Sequence, residues 1–147
     1  MADMGLDGVY DDENIFAKIL RGELPCYKVY EDEIVISFMD VFPQAPGHVL
    51  VVPKIKARNL LDYPTDGLGD LMSRVQKIAQ GMKTALNPDG ISMFQFSGAA
   101  GGQSVFHLHF HLVPRSEGIP LKGHGQFERS KDEELKELAS EIAAAIG

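Results

Sequence analysis

GGQSVFHLHFHLVPR, Gly101 to Arg115, carries histidine and hydrophobic residues in strict alternation from His107 to Leu112, followed by Val113. Successive side chains of a β-strand point to opposite faces. His107, His109 and His111 are therefore predicted to share one face, with Leu108, Phe110 and Leu112 entering a core on the other. The strand is read from about Val105 to Val113. Neighbouring imidazoles on it lie roughly 6.6–7 Å apart along the chain axis, close enough to converge on one ligand.

Working outward, the strand is preceded by a glycine-rich loop, GAAGGQS, and by a strand from about Ile91 to Phe96. Before these, Leu68, Leu71, Met72, Val75, Ile78, Ala79, Met82 and Leu86 recur at three- and four-residue intervals. That period predicts a long amphipathic helix lying on a core. Asn87, Pro88, Asp89 and Gly90 stop it. Further back, GHVLVVPK (Gly47 to Lys54) reads as a strand, and Tyr27 to Asp40 as two strands around a turn at Glu31 to Glu33. Ile15, Phe16, Ile19 and Leu20 predict a short helix, closed by Gly22 and Pro25. A last helix follows Ser130, read as its cap with Glu133 completing a capping box. Its apolar stripe is Leu135, Leu138, Ala139, Ile142 and Ile146. Consecutive strands with few intervening helices predict an α+β fold around a five-stranded antiparallel sheet. Residues 1–12 are expected to form a flexible tail and residues 13–147 one domain.

Composition narrows the function. Fourteen basic against twenty-one acidic residues give a net charge of −7, which repels a nucleic-acid polymer. Lys54, Lys56 and Arg58 read as a solvated group, although a small phosphorylated ligand needs only a local positive site. No run approaches the length of a membrane span, and the acidic N-terminus lacks the pattern of a secretory signal. Cys26, the single cysteine, fits a reducing compartment. A cytoplasmic location is expected.

Three of the five histidines fall within five residues. Three readings compete: a solvent-facing strand that happens to carry imidazoles, a metal site with three nitrogen ligands, and phosphoryl chemistry without metal. The adjoining loop favours the third. Glycines permit close backbone approach, and arrays of backbone N–H groups bind anions. Gln103 and Ser104 add side-chain donors. His48, at the start of the third strand, is assigned a supporting role beside the histidine strand. His124, in KGHGQF, reads as solvated. Asp40 ends a strand, as a turn device or as an acceptor for ribose hydroxyls.

The blocks NIFAKILRGELP (Asn14 to Pro25), FMDVFPQAPGHVLVVPK (Phe38 to Lys54) and GGQSVFHLHFHLVPR occur in an order that resembles the histidine-triad (HIT) family, in the bacterial form of its Hint-like branch. The resemblance covers about residues 14 to 115. It implies a HIT-like fold, a homodimer with a ten-stranded sheet, and cleavage of nucleoside 5′-phosphoramidates to nucleoside monophosphates. It places the nucleophile on His109 and supporting roles on His107, His111 and His48. Ser104 and the backbone at Gly102 and Gln103 correspond to phosphate and leaving-group contacts, and Asp40 to a ribose-binding carboxylate. Ile15, Phe16, Ile19, Phe38 and Val41 correspond to the wall of a purine base pocket, or to ordinary core.

Departures from the family pattern bear on its chemistry. Asn14 and Ala17 stand where many bacterial relatives carry a cysteine pair that helps bind structural zinc, so no metal and no cofactor are expected. Phe96 occupies a position that is often Asn in animal relatives, and Ala99 and Ala100 replace polar loop residues. A dinucleoside polyphosphate hydrolase and a purine nucleotide-binding regulator with little turnover remain the alternative functions.

Overall fold

The computed structural model describes residues 4–122 and 127–147; His124 lies outside them. Five strands, β1 (Lys28–Glu31), β2 (Val35–Met39), β3 (Val49–Pro53), β4 (Gly90–Phe94) and β5 (Phe110–Arg115), form one antiparallel sheet in the order β1-β2-β3-β5-β4. The helices are α1 (Ile15–Leu20), α2 (Leu68–Leu86) and α3 (Asp132–Ile146). The expected α+β architecture is observed.

Helices α2 and α3 cover one face of the sheet. Leu71, Val75, Ile78 and Met82 of α2 meet Val35, Met39, Val49, Val51, Leu108, Phe110 and Leu112, with Leu135, Ala139 and Ile142 of α3 completing the cluster. Burial of each large apolar side chain there contributes about 2 kcal/mol relative to exposure. A Cβ on Gly81 would sit 2.4 Å from Cγ1 of Ile146, so glycine is what lets α3 close on α2. Asn87 ends α2 in the left-handed region at φ 47°, its N–H donating to the Lys83 carbonyl at 2.9 Å. The opposite face carries a smaller cluster, in which Phe16 of α1 packs against Ile36, Phe38, Leu50 and Val52. With both faces covered, every residue of β2 and β3 is buried. Ser37 is tolerated because its hydroxyl donates to the Leu50 carbonyl at 2.8 Å.

Two boundaries differ from the sequence reading. Strand β5 begins at Phe110 rather than Val105, so His111 alone of the three alternating histidines lies within it. Pairing decides this: β4 ends at Phe94, opposite His111, and β3 pairs only as far as Phe110. Upstream, the Leu108 N–H turns instead to the Ala57 carbonyl at 2.8 Å. Secondly, Ser130 does not cap α3. Lys131 is the capping residue and makes no side-chain cap bond, while the Ser130 N–H donates to the Val41 carbonyl at 2.9 Å. Asp132, Glu133 and Glu134 in the first turn complement the helix dipole instead.

Residues 4–12, read from sequence as a flexible tail, make specific contacts. The Met4 carbonyl accepts from the Ala99 N–H at 2.8 Å, that of Gly5 from Arg58 Nη2 at 3.1 Å, and that of Leu6 from Asn59 Nδ2 at 2.9 Å. The Asp12 carboxylate pairs with Lys56 at 2.8 Å. Among the described residues no helix is long and apolar enough to cross a membrane.

Candidate active site

His107 and His109 lie in the segment leading into β5 and His111 within that strand, and His48 sits immediately before β3 on the neighbouring strand. The register sets Leu50 opposite His111, which brings the His48 ring to His111 at 5.2 Å between centroids. The His109 and His111 rings are 5.0 Å apart, edge to face. His107, His109 and His48 are buried, and His111 is half-buried.

Hydrogen-bond partners fix the ring protons. A carbonyl oxygen only accepts, so a ring nitrogen bonded to one carries its hydrogen. His109 donates from Nδ1 to the carbonyl of His107 at 2.6 Å, which leaves Nε2 with a free lone pair. His107 donates from Nε2 to the Pro53 carbonyl at 2.8 Å, and its Nδ1 accepts from the Tyr10 hydroxyl. The Gln44 N–H donates to His48 Nδ1 at 2.9 Å, so His48 is protonated at Nε2 and donates to His111 Nδ1 at 3.0 Å. His111 accordingly holds its hydrogen on Nε2. A ring nitrogen with a free lone pair and a ring N–H thus sit on adjacent imidazoles.

Burial keeps these rings neutral. Desolvation lowers His109 to about 4, against the hydrogen bond to the His107 carbonyl, while charge repulsion from the His107 ring adds a smaller lowering. The same cause lowers His48 to about 4 and His111 to about 3, with repulsion between the clustered rings adding to it. Desolvation raises Asp40 to about 6, against the opposing hydrogen bond from the Phe42 N–H. The other Asp40 oxygen lies 3.5 Å from His48 Nε2.

Asp40, His48 and His111 bring three ligand-type atoms within 4.8 Å of one another. The tautomers oppose a metal there. The Gln44 N–H occupies His48 Nδ1, so a metal on Nε2 would require an imidazolate or the loss of that bond. The Asn14 and Ala17 positions do not fit zinc either. Asn14 Oδ1 accepts the Ala17 N–H at 2.9 Å, capping α1, and Ala17 has no ligand atom.

The glycine-rich loop departs from the expected anion cradle. It closes on itself as a 3-10 turn over Ala99–Gly101. The N–H of Gly102 donates to the Ala99 carbonyl at 2.9 Å and that of Gln103 to the Gly98 carbonyl at 3.0 Å, so both are engaged inside the loop. The Gln103 side chain is engaged as well, accepting from the Gly98 N–H at 2.8 Å and donating to the Arg58 and Val105 carbonyls at 2.8 and 3.0 Å. Gln103 therefore braces the loop. Ser104 is exposed and makes no hydrogen bond among the described residues, which leaves its hydroxyl and N–H to a ligand. Gly102 adopts φ +107°, and a Cβ there would meet the Phe96 ring at 3.2 Å. Phe96 in turn lies against His111, with centroids 5.4 Å apart.

Of the expected apolar wall, Phe16 stands edge-on to His109 at 4.8 Å and to Phe38 at 5.5 Å. Ile19 packs in the same cluster, and Ile15 is half exposed. Val41 is not with them; it packs against the α2-side core. An open cleft of about 850 Å³ is bordered by Tyr10, Asn14, Ile15, Arg58, Ser104 and Phe106. Tyr10, the Gln44 N–H and the Pro53 carbonyl are ring partners that the sequence reading missed. None carries a motif, because each acts through a contact set by the tertiary fold.

The sequence profile of the HIT domain matches residues 21–118. A Hit-like protein from Bartonella henselae, described as involved in cell-cycle regulation, is 51% identical, with TM-score 0.86 over 93% of this chain and 99% of its own. The adenosine 5′-monophosphoramidase hnt1 of Schizosaccharomyces pombe is 32% identical over 133 residues, covering 90% of this chain and 97% of that protein. The adenylylsulfatase HINT3 of Arabidopsis thaliana is 34% identical over 129 residues, covering 86% and 66%.

Proposed function

This chain belongs to the HIT family, and we propose that it hydrolyses nucleoside 5′-phosphoramidates, adenosine-type preferred, through a covalent nucleotidyl-His109 intermediate. The observation that carries this reading is the His109 tautomer. A buried, neutral imidazole whose Nδ1–H is held by a backbone carbonyl presents a lone pair on Nε2.

In the first step, Nε2 of His109 bonds to the α-phosphorus while the phosphorus–nitrogen bond breaks. The electron pair of that bond leaves with the amine, which takes a proton from the Ser104 hydroxyl. The Nε2–H of His111 and the N–H of Ser104 stabilise the negative charge on the non-bridging oxygens. In the second step, water attacks phosphorus and gives one proton back to the Ser104 oxygen, the phosphorus–His109 bond breaks with its electron pair returning to Nε2, and the nucleoside monophosphate departs. Phe16, Phe38, Ile19 and Ile15 offer apolar surface to the base, and Asp40 accepts from the ribose hydroxyls. The Arabidopsis relative favours a second leaving group, the sulfate of an adenylyl sulfate, expelled by the same attack.

A homodimer joined at β4 accompanies this reading. That strand ends the sheet, and Met93 on it is half exposed. Rapid quenching during turnover, followed by peptide mass spectrometry, tests the mechanism. A nucleotidyl adduct on the peptide containing His109 is expected; its absence under burst conditions contradicts a covalent route.

A further inference from the structure

We infer that Tyr10, carried by the N-terminal segment that straps the site, is a positioning residue for His109 and acts through His107. The inference rests on the hydrolase reading above for its kinetic consequence but not for its structural one.

The strap is tied at both ends. Its start is bonded to Ala99, Arg58 and Asn59, and Asp12 is held by Lys56 at 2.8 Å and by Arg21 Nη1, which donates to the Asp12 carbonyl at 2.7 Å. Leu6 lies against Gly98, where a Cβ would come within 3.2 Å of it, so the strap and the loop that ends at Ser104 share one packing. Between these anchors Tyr10 reaches the fully buried ring of His107, edge-on with centroids 5.5 Å apart, and its hydroxyl donates to Nδ1. Burial raises the Tyr10 phenol, so it keeps its proton and remains a donor.

His107 spends its other nitrogen on Pro53 and its own carbonyl on His109 Nδ1–H. One residue is therefore clamped at both ring nitrogens, and its backbone oxygen decides which nitrogen of His109 bears hydrogen. Without the Tyr10 hydroxyl, Nδ1 of His107 is a buried acceptor with no partner, and the ring regains freedom to rotate. The carbonyl it carries then holds His109 Nδ1–H less well. A share of His109 passes to the tautomer protonated at Nε2, whose lone pair lies on Nδ1 rather than on the attacking nitrogen.

The test compares wild type with Tyr10→Phe, which keeps the ring packing, and Tyr10→Ala, which removes it. The first readout is the set of imidazole nitrogen NMR shifts of His107 and His109 in the isotope-labelled full chain. The second is steady-state kinetics on an adenosine 5′-phosphoramidate, with thermal melting as the control for folding. The inference expects Tyr10→Phe to melt cooperatively, to shift His109 toward a mixture of tautomers, and to lose roughly ten- to a hundredfold in kcat with KM within about twofold. Unchanged His109 shifts and unchanged kcat in Tyr10→Phe overturn it. So does a loss confined to KM, which would make Tyr10 a simple wall of the cleft. If wild type shows no turnover, the hydrolase reading fails by itself, and the shifts still decide whether Tyr10 sets the His109 tautomer.

Discussion

His109 and His107 are joined through a ring nitrogen and a backbone oxygen, Nδ1–H to carbonyl at 2.6 Å. The bond spans two residues of the segment leading into β5 and needs no other side chain. Its effect is to choose a tautomer: the nitrogen facing away from the backbone keeps its lone pair. Burial supplies the other requirement, since desolvation makes the charged form of His109 unfavourable.

The first consequence concerns activity and pH. His109 must be neutral to attack, and it titrates near 4 rather than near 6.5. The acid limb of kcat/KM for the phosphoramidate is therefore expected at about 4, and activity persists through pH 5. Asp40, raised to about 6, adds a shallow fall in KM as its carboxylate forms above that pH. An acid limb centred near 6.5 in a pH–rate profile contradicts the assignment.

Stability follows the same groups. His48, His109 and His111 have folded values of about 4, 4 and 3, below their unfolded value, so the unfolded chain binds more protons between pH 4 and 6.5. Their contribution is complete above pH 6.5 and is lost as pH falls through the folded values. Asp40 is shifted the other way, so its contribution is present at low pH and lost as pH rises through about 6. The histidines outnumber it. Near pH 5 the net difference is about two protons, and stability falls by about 3 kcal/mol per pH unit of acidification. Urea melts at pH 7, 6 and 5 check the sign; equal midpoints across that range exclude it.

Ser104 is assigned the proton for the leaving amine. Ser104→Ala is expected to lower kcat about 10²-fold for an alkylamine leaving group and much less for a leaving group that departs without a proton. A leaving-group series with both enzymes shows whether the loss tracks amine basicity. A uniform loss across the series places Ser104 on the phosphate oxygens only.

Gly102 holds a left-handed conformation against the Phe96 ring. Gly102→Ala is expected to cost about 1–3 kcal/mol, because the backbone strain adds to a contact the ring has to give way to. Thermal denaturation reads the shift, and a variant as stable as wild type shows that the loop rearranges freely.

The fold was legible where pattern and punctuation agreed. Helix α2 runs from Leu68 to Leu86 as its apolar period and the Asn87–Gly90 stop require. The alternation of Leu108, Phe110 and Leu112 into the core was likewise readable. The start of β5 was not, because a strand ends where its partners end, and Phe94 and Val51 are remote in sequence. Glycine content marked the loop at Gly98–Gly102 as special but could not say that its N–H groups turn inward to Gly98 and Ala99. Tyr10 lies in a polar segment without periodicity, and only the folded chain brings it to His107. The family resemblance groups Val41 with the apolar wall, whereas its position just beyond β2 sends it to the other side of the sheet.

The most direct test is turnover of an adenosine 5′-phosphoramidate beside diadenosine triphosphate by wild type and His109→Ala. Phosphoramidate cleavage by wild type that disappears in His109→Ala, with the dinucleotide cleaved slowly or not at all, is the expected result. Retention of most of the activity in His109→Ala, or cleavage of the dinucleotide alone by wild type, contradicts it.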